Sequence, residues 1–136
     1  MDIKDQWQVC SLELSKRLKE LGYPQKSLWY WYPIPEVIPN SGGALKSCGW
    51  EILYGNKARI YGVDTICSAP TSGELGIALP LNCDTYRTTT RFGCQYRPGY
   101  TPRKQIFADT EANARGLMWE YLKKNGLIKE KGNEKP

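Results

Sequence analysis

The side chains that could do chemistry in this 136-residue sequence are those that hold a flat, anionic ligand. Arg87-Thr88-Thr89-Thr90-Arg91 sets two guanidinium groups in a β-prone run with hydroxyls between them. If residues 85–92 form one strand, Arg87 and Arg91 share a face with Thr89, because strand side chains alternate with a period of two. Two forked donors and a hydroxyl suit a diphosphate or a ribose. The same residues also suit an ordinary exposed sheet face with solvated charges. Upstream, Trp29-Tyr30-Trp31-Tyr32 places four aromatic rings in a row. In a strand, Trp29 and Trp31 share one face and Tyr30 and Tyr32 the other. One pair anchors a core, each large ring removing roughly 150–250 Å² from water. The other pair is then free for a helix, a second subunit or a base. Trp50 is a third candidate stacking ring. Thr71-Ser72-Gly73-Glu74 reads as a capping box whose amides could seat a phosphate, with Thr71 and Ser72 adding hydroxyls. Tyr96 and Tyr100, in an expected loop from Cys94 to Tyr100, could close over a ligand.

The residues that most enzymes need are missing or scattered. There is no histidine, which removes Ser-His-Asp and Cys-His catalysis, histidine metal sites and the commonest general base. Five cysteines stand at 10, 48, 67, 83 and 94, an odd number with no CxxC pair, so zinc knuckles and redox dithiols are unsupported. Glu51, Asp64, Glu74, Asp84 and Asp109 show no paired spacing. No nucleotide-binding glycine motif or HExxH is present. The expectation is a protein with no catalytic residues, no cofactor and no metal. The net charge of +5 favours anionic partners mildly and falls short of a dedicated duplex-DNA binder. No apolar run approaches the roughly 20 residues of a membrane span, and Met1-Asp2-Ile3-Lys4-Asp5 lacks an apolar leader core. A cytoplasmic protein with no membrane partner and reduced thiols is expected.

The elements that must position these groups follow from pattern. Ser11 caps a first helix with Leu14, Leu18 and Leu21 on one stripe, stopped by Gly22 and Pro24. A strand over 28–32 is expected to end at Pro33 and Pro35 or to be marked by them as an edge strand, followed by a loop over 36–49. Residues 50–54 and 58–63 read as a hairpin. A short helix over about 72–79 turns Leu75 and Leu79 inward and stops at Pro80. A last strand covers 104–108. The final helix is capped by Thr110 or Asp109 and carries Ala114, Leu117, Met118, Tyr121 and Leu122 before Asn125-Gly126 stops it. Length and pattern give one α+β domain over 1–128, a small antiparallel sheet with about three helices packed against it. Residues 129–136 read as a charged, disordered tail.

Three segments together resemble a family of small phage and prophage proteins. They are Val9 to Gly22 with the following aromatic strand, Ala69-Pro70-Thr71-Ser72-Gly73-Glu74-Leu75 through Pro80, and Thr110-Glu111-Ala112-Asn113-Ala114 through Ile128. The Tyr-Pro-Ile-Pro and Thr-Thr-Thr-Arg regions lie outside the resemblance. It implies a phage-encoded protein of the host bacterial cytoplasm with no known catalysis. Phage proteins of this kind include oligomeric "sponges" that sequester nucleotide-derived immune signals, such as cyclic ADP-ribose derivatives or cyclic dinucleotides. On that reading a homo-oligomer counters anti-phage defence. Trp29 or Trp31, together with Trp50, would stack on the base and Arg87 and Arg91 would hold phosphates. Thr71 and Ser72 would add hydrogen bonds, and Tyr96 and Tyr100 would close the pocket. The alternatives are a single-stranded nucleic-acid-binding accessory protein, which uses the same residue types, an interaction protein whose aromatics build an oligomer interface, and a nucleotide-degrading enzyme.

Overall fold

A computed structural model of the chain describes residues 8–56 and 66–128, leaving aside the side chains of 46–48. The elements run α1 (Leu12–Glu20), β1 (Trp29–Val37), β2 (Leu45–Tyr54), β3 (Cys67–Ser68), α2 (Ser72–Ala78), β4 (Cys83–Arg87), β5 (Phe92–Tyr96), β6 (Lys104–Ala108) and α3 (Glu111–Lys124). The fold is α+β. The single sheet expected from the sequence is in fact two three-stranded antiparallel sheets, ordered β2-β1-β3 and β4-β5-β6. No described helix is long and apolar enough to cross a membrane.

The helices form where their caps and stripes place them. Ser11 Oγ accepts from Leu14 N, and Leu14 and Leu18 are buried. Thr71 Oγ1 accepts from Glu74 N while a Glu74 carboxylate oxygen accepts from Thr71 N, the reciprocal capping box that starts α2. Thr110 Oγ1 accepts from Asn113 N at the start of α3. The α1–α3 seam joins the two ends of the described chain. Gly116 lets the helices approach, since a Cβ there would lie 2.6 Å from Cys10 Sγ and 2.8 Å from a Leu14 methyl carbon. Ser11 N donates to Asn113 Oδ1 (2.9 Å), and Arg17 Nε donates to Glu120 (2.7 Å). That contact raises the Arg17 pKa, and Lys124 lies 3.7 Å from the same carboxylate. The main core lies between α1, α2, α3 and one face of the second sheet, with Leu14, Leu75, Cys94, Met118 and Leu122 fully or nearly buried.

The first sheet departs from the sequence reading. β1 does not stop at the prolines. It runs to Val37 and pairs with β2 as a long hairpin, with the register shifting between Pro33 and Pro35. Proline has no N–H to give a ladder, so the strand absorbs the pair as an irregularity. The loop expected over 36–49 shrinks to 38–44, closed by Ile38 N to Ala44 O (2.8 Å) and opened by Asn40 at φ 59. Residues 50–54 therefore pair back onto the aromatic strand. The expected return strand at 58–63 and the tail at 129–136 lie outside the described residues.

Candidate functional site

The tryptophans of the first sheet come together and are half-buried. Trp29, Trp31 and Pro33 pair with Tyr54, Ile52 and Trp50, so all three tryptophans share one face. Val9 and Ala69 pack on Trp29 and Trp31. Trp31 Nε1 donates to Cys10 O (3.1 Å), Trp29 sits edge-on to Tyr54 (5.4 Å), and Lys16 Nζ lies 4.5 Å above the Trp50 ring. On the opposite face Tyr30 and Tyr32 are buried with Ile66. The Tyr30 hydroxyl donates to Gln25 O (3.0 Å) and accepts from Ser27 N (3.1 Å), and Tyr32 donates to Gly55 O. Every buried side-chain donor and acceptor among the described residues has a partner. Four aromatics in a row are thus used on both faces for packing, with polar tips satisfied as buried tyrosine and tryptophan require.

The other expected ligand contacts are dispersed. Thr71 serves the α2 cap. Ser72 Oγ donates to Glu111, and Ser72 O accepts from Arg115 Nη1 (2.6 Å). Arg115 Nε also donates to Thr85 Oγ1 (2.7 Å), so this arginine ties α2, α3 and β4 together. Tyr96 is buried against the main core, and Tyr100 is wholly exposed on the β5–β6 loop. Arg87 and Arg91 do not share a strand face. The run 85–92 is broken by a hairpin: Thr88 N donates to Arg91 O (2.8 Å) and Arg91 N to Thr88 Oγ1 (2.9 Å), and the chain reverses into β5. Arg87 pairs with Phe92 on the side facing α3, whereas Arg91 projects to the opposite side, over Phe107. Threonine hydroxyls that read as β-formers serve here as turn formers, bonding their neighbours' backbone. The nine expected residues therefore do not converge on one site.

What the second sheet offers instead is an open face. Alternation puts Cys94, Tyr96 and Ile106 toward α3, and Tyr86, Gly93, Gln95, Gln105 and Phe107 outward. Gly93 lies between Tyr86 and Phe107 in the cross-strand row. A Cβ at Gly93 would fall 2.5 Å from the Tyr86 ring, so the ring lies across β5 where a side chain would otherwise stand. Its hydroxyl donates to Gln105 Oε1 on β6 (3.0 Å), and Phe107 packs edge-on at 6.1 Å. Phe107 stays 42% exposed. The Arg91 guanidinium lies 5.8 Å from its ring. Arg97 follows Tyr96 beside Asn82 and hydrogen-bonds only a neutral carbonyl, Tyr100 O (2.8 Å). Among the described residues Arg91, Arg97 and Arg103 make no ion pair. Residues 81–108 contain Arg87, Arg91, Arg97, Arg103 and Lys104 against Asp84 as the lone acid.

Exposed rings beside unpaired guanidinium groups on an antiparallel sheet can stack on a base and meet a phosphate. The sequence reading missed Phe107 and Gly93. The available signal was a glycine opposite two aromatics, visible only once the 88–91 turn is placed. The four described thiols are poor nucleophiles: burial pushes Cys67 and Cys83 up to about 11 and Cys94 to about 12, and drives Cys10 up as well. Among the described residues no group of three or more His, Cys, Asp or Glu side chains could hold a metal ion.

No protein-family model, curated protein or solved structure matches the chain.

Proposed function

We propose that this protein binds a ligand carrying both a base and a phosphate, without covalent chemistry, on the open face of the second sheet. The observation that carries the reading is the Tyr86 ring laid over Gly93, with Phe107 exposed beside it and Arg91 unpaired above. A stacked base replaces water on the rings, and the guanidinium meets the phosphate in a charge-assisted hydrogen bond. The sequestration of a small nucleotide signal, suggested by the phage-protein resemblance, belongs to the same ligand class. It requires an enclosed site. Since the nine residues expected to enclose one are dispersed or already engaged, enclosure on that reading would have to come from a second copy laid against this face.

The test is titration with fluorescein-labelled oligodeoxythymidine, and in parallel with ADP-ribose and a cyclic dinucleotide. Base stacking contributes about 1–3 kcal/mol per base by alanine substitution. Tyr86→Ala and Phe107→Ala should each weaken binding of the probe by that order, with Trp31→Phe unchanged. Ligand recovered after heating should be chemically intact. Wild-type affinity in the Tyr86→Ala/Phe107→Ala double variant would remove the open face from the site.

A further inference from the structure

The open face has cations at both ends, and this bears on the size of the ligand. Arg91 stands at the 88–91 turn, where β4 reverses into β5. Arg97 stands past the far end of β5, with Arg103 exposed in the same loop. The five residues of β5 lie between Arg91 and Arg97, six rises in all and about 20 Å at the usual strand rise of about 3.4 Å per residue. Between them, on the outer face, lie the aromatic row Tyr86-Gly93-Phe107 and the row Asp84-Gln95-Gln105, one carboxylate beside two amides. The order along the sheet is therefore guanidinium, rings, amides, guanidinium.

One nucleotide held on the rings reaches the phosphate site at Arg91 and leaves Arg97 and Arg103 unused. A polyanion running the length of β5 uses both ends. Charge complementarity favours it, because three arginines without an ion pair, Arg91, Arg97 and Arg103, outnumber Asp84, the one carboxylate on the outer face of this sheet. The platform is flat and open, so a duplex, whose bases are stacked on one another, offers it no ring to bind, whereas an unpaired strand offers several. We infer that the second sheet takes a single-stranded nucleic acid laid along β5, with bases on Tyr86 and Phe107 and phosphates at Arg91 and at Arg97 with Arg103. This rests on the open-face reading above and adds to it the length of the ligand and the second cationic end.

The experiment measures affinity for thymidine mono-, di- and oligonucleotides of increasing length, on the wild-type protein and on Arg97→Ala/Arg103→Ala. The expected result is tighter binding with length until the strand spans the face. The double variant should lose only the gain from length, by roughly tenfold per phosphate contact at low salt. Its log–log salt slope should be shallower by about 0.7 per lost contact. Arg97→Lys/Arg103→Lys, which keeps the charges, should keep most of the slope. A dinucleotide that binds as tightly as the longest oligomer, or a double variant indistinguishable from wild type, overturns the two-ended strand while leaving the open-face site intact. A matched duplex that binds as tightly as the single strand overturns it too. Absence of binding by every nucleotide probe overturns both.

Discussion

Tyr32 in the first sheet is wholly shielded from solvent, whereas Phe107 in the second leaves 42% of its surface exposed. Both belong to three-stranded antiparallel sheets, and both have an aromatic neighbour on the same face. The difference lies in what covers each sheet. The tryptophan face of the first is partly capped by Val9, Ala69 and Lys16, with Tyr54 at its end left exposed, and its tyrosine face is closed with Ile66. The second is packed by α3 on one side only. Aromatic density in a sequence therefore signals burial when both faces are covered, and a recognition surface only when one is left bare. The richest run, Trp29 to Tyr32, is spent on packing at both faces. On the reading proposed above, the sparser pair, Tyr86 and Phe107, meets the ligand.

That contrast can be broken by substitution. The largest expected effect is in the closed sheet. Tyr32→Ala should cost about 3–5 kcal/mol of stability by urea unfolding, as large-to-small changes in a core do. Phe107→Ala should stay within about 1 kcal/mol, and equal losses would show that the second sheet is no more open than the first. The two close-packed glycines should separate in the same way. Gly116→Ala forces a methyl against Cys10 and Leu14, which are fixed in the core, and overpacking of that kind costs about 1–3 kcal/mol. Gly93→Ala meets a ring that can swing into solvent, so its stability loss should be smaller while oligonucleotide binding weakens. Next comes Trp31→Phe, which removes the donor to Cys10 O and should cost about 1 kcal/mol. Tyr86→Phe removes an exposed hydrogen bond to Gln105 and should shift stability by less than about 0.5 kcal/mol.

The gentlest probe is pH. Cys67 of the first sheet and Cys94 on the covered face of the second have thiols raised by burial to about 11 and about 12. An unfolded chain gives up the same protons near pH 8.5. Above that pH the unfolded state binds fewer protons than the folded one, so stability is full below it and declines as pH rises toward 11 and 12. Equilibrium unfolding between pH 8 and 11 should show this fall, and Cys94→Ala should flatten it. A thiol reagent at pH 8, followed by peptide mapping, should label Cys67 and Cys94 slowly in the folded protein and rapidly after denaturation.

Much of this architecture was readable in advance because its signals are local. The caps at Ser11, Thr71 and Thr110 and the stripes through Leu14–Leu18 and Met118–Leu122 fixed all three helices and the α+β class. What could not be read was pairing. Residues 50–54 have no local feature that prefers 29–37 over a following strand; long-range register decides it. Thr88-Thr89-Thr90 has strand propensity, yet two hydroxyl–backbone bonds turn it, and with it the relation of Arg87 to Arg91 inverts. Every expected binding residue was of a type that binds nucleotides. Cover and facing, set by tertiary packing, decided which remained free.

The seam between α1 and α3 has a further consequence during synthesis. Its contacts join residues 102 and 103 positions apart: Cys10 to Ala112, Ser11 to Asn113, Arg17 to Glu120. Loop closure over that span brings nothing until nearly all the described chain has left the ribosome. The hairpins β1–β2 and β4–β5 can pair as they emerge, but Leu14 and Leu18 wait in water for α3. The nascent chain thus carries an unmatched apolar helix until α3 emerges, when Met118 to Leu122 arrive to shield it.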